Sequence, residues 1–187
     1  MIINSIILLT INCVYYMKYF PSSKLILKNN ILLPILYNDK CSQISIEHIY
    51  PKCFLNKEHY YDFHNTFRAC KSINNIRSNY MFSDTKNITW ININFGNYIS
   101  HKHKLFKPRD QDKGIIARAI LYMNYKYKYK ILMDKQILYN WCLKYEPSIK
   151  EQLHNLNGYK IQGNYNIFIS KFYDKNYYKL LDSCLFL

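Results

Sequence analysis

Glu47 and His48 stand side by side at the end of SQISIEHIY (42–50), a segment that alternates Ile44 and Ile46 with polar neighbours and stops at Pro51. A neutral imidazole can take a proton from water, and an adjacent carboxylate can hold a hard divalent cation. Successive strand residues face opposite ways, so the two converge only where the strand bends. The plainer alternative is an exposed glutamate beside a hydrogen-bonded histidine. In Asp62-Phe63-His64-Asn65, Asn65 could offer a carbonyl oxygen to a metal without adding charge, or the group could serve a helix start. NNIRSNY (74–80) and QGNYN (162–166) are rich in side chains that satisfy backbone groups in turns. Arg77 and Arg118 carry planar forks suited to phosphate, although Arg118 lies in an apolar run and could equally fix the fold from inside.

The elements that must position these groups follow from pattern and punctuation. Residues 42–50 predict a strand ending at Pro51. Phe63 and Phe67, then Ile73 and Ile76, fall at near-helical spacing and predict partly helical structure over 60–80. ITWININF (88–95) reads as a short strand followed by the basic loop HKHKLFKPRDQDK. GIIARAILYMNY (114–125) predicts a central core helix; Asp134 is placed to cap a helix to about Lys144, and another runs from about Ile149 to Ile161. Residues 1–40 read as an apolar arm, either a buried N-terminal element or a degenerate signal or anchor, ahead of a domain over 41–187.

The 187 residues carry 26 Lys+Arg against 12 Asp+Glu, a net charge of +14 that points to polyanionic partners such as nucleic acid or an anionic membrane. With 49% hydrophobic and 17% aromatic residues the chain is too rich for a disordered basic tail. Almost all the excess is lysine, in a sequence also heavy in Asn, Ile and Tyr, as AT-rich coding produces, so the four arginines are the more informative cations. Six cysteines without any Cys-x-x-Cys pair give no support to a zinc ribbon, and leave free thiols and disulfides both open. His59, His101, His103 and His154 have no metal-like partner at useful spacing and read as surface residues.

Taken in order, EHIYP (47–51), DFHN (62–65), INNIRSNY (73–80), GIIARAILYM (114–123) and QGNYNIF (162–168) resemble the endonuclease I family of bacterial periplasmic and secreted nucleases. The resemblance implies an α+β, mainly helical domain carrying a ββα-metal (His-Me) finger, and a metal-dependent, sequence-nonspecific endonuclease acting as a monomer on DNA, with RNA open as a second substrate. It implies His48 as general base and Glu47 and Asn65 as ligands of one Mg2+, for which Mn2+ or Ca2+ could substitute, with Arg77 beside the reacting phosphate. Lys52, Lys71, Arg77 and Arg118 are then the expected nucleic-acid contacts. Tyr165 and Ile167 replace the family's usual Arg and Pro, Arg68 and Cys70 fall where Pro-Ala-Asp is common, and Lys107 replaces an acid. These departures leave open a catalytically impaired nucleic-acid-binding relative. A membrane-surface protein using the apolar arm is the third reading. The family suggests a secreted or periplasmic location, but the first residues lack a clear signal pattern, so an intracellular or viral origin stays open.

Overall fold

The computed structural model describes Leu27 and residues 32–186. Most of the expected N-terminal arm, including Cys13, therefore lies outside the described residues. The part of it that is described is no appendage: Ile35–Leu36 form β1, and Leu36 and Tyr37 are fully buried, so the folded unit starts before residue 41.

β2 (Ile44–His48) and β3 (Thr66–Cys70) pair antiparallel, from Ile44 opposite Cys70 to His48 opposite Thr66, while β1 runs parallel to β3 on its other side. Cys41 and Cys70 form a disulfide, with Cα atoms 5.4 Å apart, at the end of this pair remote from His48. The helix α1 (Lys71–Arg77) follows β3 directly, which completes a strand–strand–helix unit. The helical expectation for 60–80 therefore holds only from Lys71. All five residues of β3 are buried because the strand is central, so it lacks the alternation that marks a half-exposed strand. A second sheet, in the order β4 (Met81–Phe82), β7 (Leu105–Lys107), β6 (Tyr98–Ser100), β5 (Ile91–Asn92), lies beyond it in sequence. Only two residues of ITWININF form strand, and both are exposed.

The core is built around α2 (Asp110–Tyr127), where every residue from Asp112 to Met123 is buried. Each large apolar side chain so placed contributes about 1.5–3 kcal/mol. Gly114 is required there, since a Cβ would come within 2.5 Å of the Tyr145 carbonyl. α3 (Lys135–Lys144) starts where Asp134 accepts from the Ile137 N–H at 2.9 Å. α4 (Ile149–Gln162) starts at Ser148, which accepts from the Glu151 N–H, and ends at left-handed Gly163. α5 (Ile167–Ser170) and α6 (Tyr177–Leu185) close the order. The result is a mixed α+β fold, as the motifs implied. No helix among the described residues is long and apolar enough to cross a membrane.

Candidate active site

The end of β2 and the last turns of α1 form the walls of a cleft of about 370 Å3, lined by Glu47, His48, Lys52, Asn74, Arg77 and Asn79, with exposed Cys53 at its edge. β3 pairs with β2 and runs directly into α1, so residues distant in sequence face one volume.

His48 is half-buried, and its Nε2 lies 2.9 Å from the Tyr60 carbonyl. A carbonyl only accepts, so Nε2 carries the proton and Nδ1 holds the lone pair. Burial lowers the imidazole below its usual 6.5, against an upward pull from Tyr60, with Lys52 and Arg77 adding to the lowering. At neutral pH the ring is therefore a free base.

Glu47 is 2% exposed and sits in a specific grip: its Oε1 accepts from the Tyr37 hydroxyl at 2.8 Å and forms an ion pair with Arg77, 2.8 Å from NH1. Burial raises its pKa, while Arg77 and the Tyr37 bond oppose the rise. Both contacts fall on Oε1, and no hydrogen bond to Oε2 is found among the described residues. Asn74 donates through Nδ2 to Ser45 Oγ at 2.9 Å and to the Ile46 carbonyl at 3.2 Å, which fixes the amide with its oxygen unspent. A carboxylate oxygen and an amide oxygen in an open cleft suit a hard divalent cation that keeps most of its waters, as magnesium does. No group of three or more His, Cys, Asp or Glu among the described residues could hold a metal, so the tightly caged alternatives lack donors.

Asn65 is not part of this cleft. It is 0% exposed, accepts from the Tyr50 N–H at 2.7 Å and donates to the Tyr50 carbonyl at 3.1 Å, so its assignment as a metal ligand is corrected. It stands in a one-turn 3-10 helix (Phe63–Asn65) ahead of β3, and not in the helix of the finger. Asn74, on α1, is the amide that faces Glu47 and His48. The signal that could have found it is chain order: in a strand–strand–helix unit the helical contribution follows the second strand, and INNIR is the first stretch after TFRAC that does so.

Arg77 also changes role. It is 2% exposed, pairs with Glu47, donates to the carbonyls of His48, Ile49 and Ser78, and lies 4.4 Å from the Phe82 ring. Its guanidinium is committed to holding the end of β2, so it positions Glu47 and His48 rather than reaching for phosphate. Arg118 is corrected outright as a nucleic-acid contact: it is 1% exposed, with Nε and NH2 on the two oxygens of Glu151 at 2.7 and 2.6 Å and NH1 on the Tyr145 carbonyl. Lys52 is exposed on the cleft wall, above the Tyr60 ring, and Lys71 is exposed at the disulfide end of the unit, away from the cleft.

Behind the site, Asp62 gathers Tyr122, Tyr127, Gln162 and the His64 N–H, which locks QGN (162–164) against the 3-10 turn. His154, expected on the surface, is 0% exposed between the rings of Phe63 and Phe67, with Nε2 on the Phe63 carbonyl. Tyr165, which stands where the arginine was expected, stacks on Tyr159 with ring centroids 4.4 Å apart.

A family model described as Endonuclease I matches residues 28–172. The chain is 33% identical over 119 residues to Endonuclease-1 of Buchnera aphidicola subsp. Baizongia pistaciae, an alignment covering 62% of this chain and 48% of that protein. It is 32% identical over 112 residues to an extracellular deoxyribonuclease of Aeromonas hydrophila, covering 59% of this chain and 49% of the other, and equally to a periplasmic deoxyribonuclease of that organism, covering 59% and 47%. The chain spans about half the length of the curated relatives it matches.

Proposed function

The chain belongs to the endonuclease I family, and from that premise we propose that it is a metal-dependent, sequence-nonspecific endonuclease hydrolysing phosphodiester bonds in DNA. The observation that carries this reading is the convergence of a neutral imidazole, a half-engaged buried carboxylate and an oriented amide on one cleft. His48 Nδ1 takes the proton from the attacking water, while Nε2–H on the Tyr60 carbonyl keeps the ring in that tautomer. Glu47 Oε2 and Asn74 Oδ1 would hold the Mg2+. The bound ion supplies a charge sink for the phosphorane and assistance to the leaving 3′-oxygen. Lys52 meets a substrate phosphate at the cleft wall. Contacts of this kind read position along a strand and not sequence.

Plasmid nicking tests the reading. The full chain should nick in Mg2+ and stop in EDTA, and His48→Ala should lose about 100- to 10,000-fold in rate, the usual worth of a general base. The rate should fall with acid through a midpoint below 6.5, since protonation of His48 removes the base and its pKa is lowered. Intact plasmid with wild-type protein in Mg2+ and Mn2+, or a His48→Ala rate equal to wild type, would refute it.

A further inference from the structure

Tyr37 stands just past β1 with φ +73°, a left-handed backbone that a bulky aromatic residue adopts only when its surroundings impose it. Three tertiary bonds impose it. The Tyr37 N–H donates to Asp112 Oδ2 at 2.6 Å, its carbonyl accepts from Asn97 Nδ2 at 2.8 Å, and its hydroxyl donates to Glu47 Oε1 at 2.8 Å. Arg109 fixes both partners, through Nε on Asp112 at 2.7 Å and its own N–H on Asn97 Oδ1 at 3.3 Å. The ring is 0% exposed and meets Phe106 edge-on at 5.1 Å. An unfavourable backbone conformation is thus held rigidly, and its outcome is one phenolic O–H aimed at the carboxylate of the cleft.

Resting on the metal reading above, we infer that Tyr37 is a positioning residue that keeps Glu47 Oε2 available to the ion. Arginine and carboxylate favour a two-toothed pairing that engages both oxygens. Here the hydroxyl bonds Oε1, the oxygen nearest Arg77 NH1, in a carboxylate that lines the cleft together with His48 and Asn74. Without the hydroxyl the carboxylate is free to swing into a full pairing with Arg77, which occupies the oxygen the ion needs. Support of a ligand by such an outer partner is typically worth about 10- to 100-fold in metal affinity.

The test is Tyr37→Phe in the full chain, which keeps the ring and deletes the O–H, with Mn2+ binding followed by calorimetry, nicking rate against Mg2+ concentration, and a metal-free thermal melt. The expected result is Mn2+ affinity lower by about tenfold or more, the same rise in the Mg2+ concentration for half-maximal rate, and recovery of rate at saturating Mg2+. A folded Tyr37→Phe that binds Mn2+ as wild type does overturns the inference, even if its Tm is lower, because that is what a purely structural tyrosine would give. Should Tyr37→Phe fail to fold, Asn97→Ser decides. It releases the Tyr37 carbonyl and leaves the hydroxyl, so weakened Mn2+ binding supports the inference and unchanged binding overturns it. Wild-type protein that binds no Mn2+ removes the metal reading itself, and this inference with it; equal binding by wild type and variant removes this inference alone.

Discussion

Asn65 and Asn74 are amides of opposite use, and substitution separates them. Asn65 completes the backbone of Tyr50 inside the fold, so Asn65→Ala leaves a buried N–H without an acceptor, at a cost of about 1–3 kcal/mol. Asn74 spends only its donors, so Asn74→Ala should weaken Mn2+ binding about tenfold or more while lowering Tm less than Asn65→Ala does. Calorimetric titration and thermal melts of the two variants check this, and the reverse pattern would restore Asn65 to the site. The residue pair at 47–48 was legible in the sequence because an alternating strand ends on it before a proline. Asn74 was not, because two asparagine-bearing motifs compete and composition makes Asn common. Tyr37 left no trace at all: its backbone is held by Asp112 and Asn97, far away in the chain.

At the level of elements, local chemistry and tertiary context divided the legibility. The starts of α3 and α4 could be read from Asp134 and Ser148, whose caps depend only on the next three residues. α4 also begins with Ser-x-x-Glu, yet Glu151 turns away from the reciprocal bond to meet Arg118, a choice only the packed core determines. β3 is not legible in the sequence because a strand flanked by neighbours on both sides carries no alternation, and Phe63 with Phe67 mimics a helical repeat. The disulfide was an open alternative in the sequence; here Cys70 takes its place in β3 opposite Ile44 and closes on Cys41, 29 residues earlier. A loop of that length is worth about 3.6 kcal/mol. Reduction, or Cys41→Ser, should therefore lower Tm by roughly 7–14 °C for a chain of this size, read by melts with and without reductant. No change on reduction would mean that the bond adds nothing to the native state.

Over the whole molecule, charge and burial together set how the protein responds to acid. Burial holds His154 at about 3 and lowers His64, so both stay neutral in the native state, whereas in the unfolded chain they take protons near 6.5. Stability is then undiminished above about 6.5 and is lost progressively as pH falls from there toward 3. Asp62, whose burial is outweighed by the bonds from Tyr127 and Tyr122 and by the charge of Lys126 so that its pKa is lowered, adds to the loss in the carboxylate range; Glu47 and Asp112, raised mainly by burial, oppose it. Urea titrations at pH 7, 5.5 and 4.5 should give a falling midpoint, and His154→Gln a shallower decline; a midpoint flat across that range would contradict the buried neutral histidines. The net charge of +14 could be read from composition, but which cations remain at the surface could not, since Arg77, Arg109 and Arg118 are all engaged with acids inside the fold. The bond from Tyr37 to Asp112 spans 75 residues and bears on synthesis. The bond that holds the Tyr37 N–H cannot form until residue 112 has left the ribosome. That hold on Tyr37 is therefore set late in synthesis, after the first turn of the central helix has emerged.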